Sequence, residues 1–150
     1  MISTQTLAQF NLFDGLSDSL LRQIAAISAE VSAKKGEMIF REGEKAEKLH
    51  FLLSGSVALR VKLTSRPESV TVSFISLPYQ SFGWSGIVSP YHYTSSAECD
   101  EDSELLVISA EPFMKLLEEH PEAGFKVMRR VAEIIADRLR NSRQALLKTI

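Results

Sequence analysis

Cysteine occurs once in this chain, at Cys99. One thiol excludes an intramolecular disulfide framework and an iron–sulfur cluster held only by this chain's own thiolates. No apolar run approaches the ~20 residues that a membrane-spanning helix needs. The first residues, Met1-Ile2-Ser3-Thr4-Gln5, lack the basic start and apolar stretch of a secretion signal, so a reducing, cytoplasmic setting is expected. No Lys or Arg stands between Arg66 and Lys115. No tract of low complexity and no repeat at solenoid spacing occurs. No group of His, Cys and Asp has the spacing of a zinc site, so no metal is expected. Seventeen Lys and Arg against nineteen Asp and Glu leave a net charge of -2, which argues against binding nucleic acid through a broad basic surface.

What is present is an ordinary globular composition, 45% hydrophobic and 24% charged over 150 residues. That length predicts a single domain, 1–150, with a real core. Residues 1–30 read as a helical lead-in. An apolar segment, Leu7 to Phe13, ends at the turn signal Asp14-Gly15. Ser17 then suits an N-cap, and Leu20, Leu21, Ile24 and Ile27 recur at helical spacing up to Glu30. Residues 31–109 change character. Short runs of Val, Ile, Phe and Leu are broken by Gly36, Gly43, Gly55, Pro67, Pro78, Gly83, Gly86 and Pro90, the punctuation of a barrel or sandwich. Leu49–Leu53 and Val57–Val61 flank Ser54-Gly55-Ser56 as a hairpin pattern, and Val70–Leu77 with Glu104–Ile108 forms a second expected pair. Residues 110–150 are helical again. Phe113, Leu116 and Leu117 share a face, Pro121 interrupts, and Phe125, Met128, Val131, Ile135, Leu139 and Leu146 make a long apolar stripe.

The most distinctive run is Lys35-Gly36-Glu37-Met38-Ile39-Phe40-Arg41-Glu42-Gly43-Glu44, followed by Lys48-Leu49-His50-Phe51-Leu52-Leu53-Ser54-Gly55-Ser56-Val57. Glycines at tight corners bracket short strands, which describes a jelly-roll-like β-roll. This run resembles the opening of a cyclic-nucleotide-binding domain of the catabolite-activator type. Leu12-Phe13-Asp14-Gly15-Leu16-Ser17 resembles the family's helical start, and the order of helices, β-roll and long C-terminal helix covers essentially the whole chain. The resemblance implies a mainly β fold with helices: a jelly-roll-like β-roll flanked by N-terminal helices and a long C-terminal helix.

It also implies a phosphate-binding cassette, here 82–97. In the family the cassette begins Phe-Gly-Glu, enters a short helix and later supplies an Arg. Backbone N–H groups and the Arg hold the cyclic phosphate, and the Glu accepts from the ribose. The matching stretch is Phe82-Gly83-Trp84-Ser85-Gly86-Ile87-Val88, with Tyr93, Thr94 and Ser95 further on. Phe82 and Gly83 match. Trp84 replaces the Glu, and Tyr93 or Thr94 stands where the Arg belongs. Losing a buried charge-assisted contact costs ~2–5 kcal/mol, so cyclic AMP or cyclic GMP is not expected to bind in the usual way. The acidic run Glu98, Asp100, Glu101, Asp102 and Glu104 would repel a phosphate if it lay close, or is a solvated turn. Two readings of the pocket follow. Trp84, Tyr91 and Tyr93 wall a small aromatic cavity for an unidentified uncharged or apolar ligand that Ser and Thr hydroxyls orient, or they fill it as core and leave a protein-interaction module; a cyclic-nucleotide or other small-ligand sensor with non-standard anchors is the remaining alternative. Aromatic residues in a barrel more often fill.

Other chemistry is thinly signalled. Gly83-Trp84-Ser85-Gly86 superficially resembles a nucleophile elbow but misses its spacing, and no convergent nucleophile and base are visible, so no catalytic residues are expected. Some relatives of this fold hold haem, which makes His92 worth naming; a lone His is more often surface or satisfied core, and no cofactor is expected. Cys99 has no basic neighbour to lower its pKa and reads as a buried, inert thiol. The last helix carries seven basic residues from Lys126 to Lys148 against Glu133 and Asp137. These charges read as a solvated face more readily than as a nucleic-acid surface. By resemblance this helix joins two copies, through Met128, Val131, Ile135 and Leu139, and closes over the ligand. Arg138 and Ser142 fall where family members reach the base, and Arg138 is placed to substitute in part for the missing cassette Arg. The sequence stops at Ile150 with no helix-turn-helix, so direct DNA binding is not expected. The expectation is a stand-alone, non-enzymatic, homodimeric regulatory module open to a protein partner.

Overall fold

The computed structural model describes residues 1–149. The chain opens with α1 (Thr4–Leu7), a 3₁₀ turn at Asn11–Phe13 and α2 (Asp18–Ala26). Ser17 caps α2 as expected, its hydroxyl accepting from the Leu20 N–H at 3.1 Å. The helix does not run to Glu30. Ser28 Oγ donates to the Ile24 carbonyl at 2.6 Å, and Ser28–Ala33 leaves the helix as β1. Ala29 and Glu30 favour helices locally, but pairing along the last strand outweighs that preference. The boundary between helices and β-roll therefore falls at 27/28 rather than 30/31.

The remaining strands are β2 (Met38–Phe40), β3 (Lys48–Ser54), β4 (Val57–Lys62), β5 (Ser69–Ile75), β6 (Ser81–Phe82), β7 (Ser96–Cys99) and β8 (Ser103–Ser109). They form two four-stranded antiparallel sheets in the orders β1-β8-β3-β6 and β2-β7-β4-β5. Helices α3 (Ala110–Glu119) and α4 (Pro121–Lys148) complete the jelly-roll-like β-roll with flanking helices. No helix among the described residues is long and apolar enough to cross a membrane.

Both expected strand pairs are corrected. β3 and β4 lie in different sheets, so Ser54-Gly55-Ser56 is a corner between sheets and not a hairpin turn. Ser103 pins this corner: its hydroxyl accepts from the Ser56 N–H at 3.1 Å and donates to the Glu101 carbonyl at 2.8 Å. β5 pairs with β4, Val57 facing Ile75 and Lys62 facing Ser69. β8 lies between β1 and β3, with Leu105 opposite Leu52. Alternating apolar residues and a short glycine turn define strands and reversals, but they do not choose partners.

Two cores result. Leu49 and Phe51 of β3 and Leu106 and Ile108 of β8 meet Phe10, Phe13, Ile24, Phe113, Val127 and Val131 from the helices. Leu52 and Leu105, pointing the other way, meet Val57, Ile75, Phe82, Ala97 and Tyr93 between the sheets. α4 is fixed to the helical core by Gly124, Val127 and Val131 and by Arg130, which donates to the Asp14 carbonyl at 2.6 Å.

Gly55 holds φ at +101°, and an added Cβ would collide with Ser103 Oγ and lie 2.6 Å from the Asp102 carbonyl oxygen. Gly15, at φ +81°, has open space where its Cβ would be. Gly55→Ala should therefore cost about 3 kcal/mol or more, combining backbone strain with overpacking, and Gly15→Ala only about 1 kcal/mol. Urea denaturation of the two variants checks the difference.

Candidate functional site

A cavity of about 500 Å³ opens where the cassette meets α4. Phe40, Leu59, Val72 and Ser73 contribute its sheet side. Gly83, Trp84, Ser85, Val88, Ser89, Pro90, His92, Tyr93, Thr94 and Ser95 form the cassette side, and Ile135, Arg138, Asn141, Ser142 and Ala145 the helix side.

The floor is aromatic. Phe40 and Tyr93 stack with ring centroids 3.8 Å apart and planes within 10°. The Tyr93 hydroxyl donates to the Lys48 carbonyl at 3.2 Å, and burial raises its phenol above the ordinary value. Behind this stack lies His50, 4% exposed, stacked on Phe82 at 5.2 Å and tilted against Phe40 at 5.1 Å. Its Nδ1 has no hydrogen-bond partner among the described residues. Desolvation, helped by the Lys48 charge, pushes the His50 pKa down to about 3, so the ring is neutral. This ring cluster explains the glycine at 83. Gly83 sits at φ +75°, and a Cβ there would lie 2.8 Å from His50 Nδ1 and 3.2 Å from the Phe40 ring.

The wall toward α4 is built on Ser81. Its hydroxyl accepts from Trp84 Nε1 at 3.0 Å, and its carbonyl accepts from Arg138 Nη2. The Arg138 guanidinium lies 4.1 Å from the centre of the Trp84 ring, within cation–π range. Burial pulls the Arg138 pKa down to about 10, still well above neutral, so the side chain stays charged. Arg138 makes no ion pair with any described residue. No Asp or Glu lines the cavity. The acidic run lies elsewhere: Asp102 is 3.9 Å from Lys34 Nζ and accepts from the Lys35 N–H, and Glu104 accepts from Ser32.

The structure brings together Gly83, Trp84, Ser85, Tyr93, Thr94, Ser95, Arg138 and Ser142. It does not bring in Phe82 and Ile87, which point into the two cores, or Gly86, whose Cα faces the Lys48 carbonyl. Tyr91 is 48% exposed and lies outside the cavity, so the expected third aromatic wall residue is absent. Tyr93 is core, 7% exposed and stacked on Phe40, and Trp84 packs against the helical core, yet both border an open space, so neither of the two readings of the pocket holds alone. Val131 is also corrected: it is 2% exposed and turned into the helical core, away from any partner. Ile135 and Leu139 are exposed, with Met128 half-buried. Ser85 follows a two-residue antiparallel strand, which is not the parallel strand-to-helix setting of a nucleophile elbow. Cys99 is buried, and desolvation raises its thiol pKa. Sequence reasoning missed Phe40, Leu59, Val72, Ser73 and Asn141 as cavity residues. Asn141 adjoins Ser142, but nothing in the strand pattern says which inward residues meet the cassette.

Residues 30–120 match the cyclic nucleotide-binding domain family. A protein of Geobacter metallireducens GS-15 described as a cyclic nucleotide-binding protein superposes with a TM-score of 0.76 at 35% identity, over 93% of this chain and 99% of that one. Glutaminase 1 of Bradyrhizobium diazoefficiens is 30% identical over 91% of this chain, which spans 21% of that protein. The CRP-like cAMP-activated global transcriptional regulator of Mycobacterium tuberculosis is 24% identical over 97% of this chain, which spans 62% of it.

The buried His50 makes stability depend on pH. Unfolded, the ring takes its proton near 6.5; folded, near 3. Between those values the unfolded state binds more protons, so stability falls as pH drops below 6.5, and the contribution is intact above it. The wild type should lose about 2 kcal/mol between pH 7 and pH 5 relative to His50→Phe, which carries no such proton. Urea midpoints at the two pH values measure it.

Proposed function

The chain belongs to the cyclic nucleotide-binding domain family, and from that premise we propose that it is a non-enzymatic regulatory module. In this reading a small ligand occupies the cavity between cassette and α4, but not a cyclic nucleotide held in the usual way. The observation that carries it is the open cavity of about 500 Å³ in which Trp84 takes the acidic position of the cassette and the one charged lining residue, Arg138, comes from the helix. A ligand that touches both walls stabilises one placement of α4 over others, so binding becomes a shift in the population of helix positions. The module is proposed to be cytoplasmic and to act on a protein partner.

α4 supplies the output surface. Phe125, Ala132, Leu139 and Leu146 recur every seven residues, the repeat of a coiled-coil seam, while Ile135 and Ser142 turn to the cavity. Phe125, Leu139 and Leu146 are 68%, 57% and 62% exposed. A second copy of α4 along this seam would cover them, and it replaces the sequence-derived face that included Val131.

Two measurements bear on this reading. Isothermal titration with cyclic AMP and cyclic GMP should give no saturable heat at ligand concentrations up to about 0.1 mM; low-micromolar binding of either overturns it. Sedimentation at about 50 μM should give a dimer that Leu139→Glu converts to a folded monomer. Val131→Glu, which places a charge in the helical core, should instead unfold the chain. A wild-type monomer, or an unchanged Leu139→Glu dimer, removes α4 as the interface.

A further inference from the structure

Resting on the proposal that the cavity takes a small ligand, we infer that this ligand is a singly charged organic anion with a flat apolar body, anchored by Arg138 from α4. The first argument is charge. Arg138 is the sole Lys, Arg, Asp or Glu among the cavity-lining residues. A largely buried cation with no counter-charge is unfavourable, and an anion entering the cavity meets attraction with no opposing carboxylate. One cation balances one negative charge; a second would be left uncompensated.

The second argument is geometry. The guanidinium is fixed before any ligand arrives, by the Trp84 ring 4.1 Å away and by the Ser81 carbonyl, which accepts from Nη2. Nε and Nη1 have no hydrogen-bond partner among the described residues, so donors remain for an oxyanion, which a guanidinium meets with two parallel N–H bonds. Little side-chain freedom is then lost on binding. The third argument is shape. The stacked Phe40–Tyr93 pair with Leu59 and Val72 gives an apolar surface suited to a flat body, and Thr94 and Ser142 offer hydroxyls at its edge. Carboxylates and cyclic phosphodiesters share the required single charge, and separate arms of the test distinguish them.

Trp84 is the chain's one tryptophan. Its indole N–H therefore gives one resonance that reports the cavity directly. The full chain and Arg138→Gln are titrated with 2-naphthoate, 2-naphthamide and cyclic AMP to about 5 mM each, following that resonance in ¹H–¹⁵N spectra. Naphthoate should shift it saturably and bind at least about tenfold tighter than the uncharged amide. Arg138→Gln should erase the difference, and Arg138→Lys should restore part of it. Equal binding of acid and amide overturns the inference and leaves the ligand-cavity reading standing. So does a neutral molecule retained on the native protein in mass spectrometry. Absence of a naphthoate shift also overturns it. The acid-to-amide ratio in the wild type needs no variant to fold. A shift by cyclic AMP that depends on Arg138 upholds the anion anchor, with a cyclic phosphodiester as the anion held from α4.

Discussion

Strands β3 and β8 are covered on both faces, and the two halves of the molecule are joined through them. Leu49, Phe51, Leu106 and Ile108 look toward the helices; Leu52 and Leu105 look into the space between the sheets. Each pair of neighbours along these strands therefore serves different cores, and a shift of one residue in register would exchange them. Such strands carry near-continuous apolar runs where a strand with one wet face would alternate. That doubled burial gives the β-roll and the helices a shared, rigid partition.

The site hangs from this partition. β6 is only two residues long, and it pairs with β3 through His50–Phe82 and Phe51–Ser81. Phe82 drives into the inter-sheet core and anchors the start of the cassette. Ser81, its neighbour, then presents a hydroxyl to Trp84 and a carbonyl to Arg138. Cassette and helix meet at one residue whose place is set by a core strand. His50 belongs to the same arrangement. Its ring completes the aromatic stack that only a glycine at 83 can approach, and its neutral form is the consequence of burial among Phe40, Phe82 and Tyr93. A polar atom left without a partner there is the cost of that packing.

The sequence carries the order of elements clearly because that order depends on local chemistry: Ser17 as a cap, glycines at corners, apolar stripes in the helices. It does not carry pairing. Ser54-Gly55-Ser56 reads as a hairpin because the same residues make a reversal within a sheet or a corner between sheets, and the partners that separate the two, β8 for β3 and β5 and β7 for β4, are remote in sequence. At the site, Gly83, Trp84 and Tyr93 are readable through the resemblance, since the cassette is contiguous. Phe40, Leu59 and Val72 come from three separate strands, and only their packing gathers them. The stripe on α4 splits for a similar reason. A helix presents more than one apolar face, and Val131 lies on the intramolecular one while Leu139 lies on the other.

Moving the cation from cassette to helix changes how binding and helix position are linked. An arginine in the cassette would meet an anion from the β-roll, whereas Arg138 reaches the cavity from α4, so displacement of the helix would withdraw the guanidinium. For the anion inferred above, the charge-assisted part of its affinity would then depend on helix position. A ligand can shift a two-state equilibrium only by its difference in affinity for the two states, at about 1.4 kcal/mol for each factor of ten. A contact of this kind is worth ~1.5–3 kcal/mol, which corresponds to a shift of about ten- to a hundredfold from one side chain. The Trp84 stack and the Ser81 carbonyl work against it by holding Arg138 in place without ligand. In the proposed reading, the response of the module would be set by the balance between that resting latch and the anion that strengthens it.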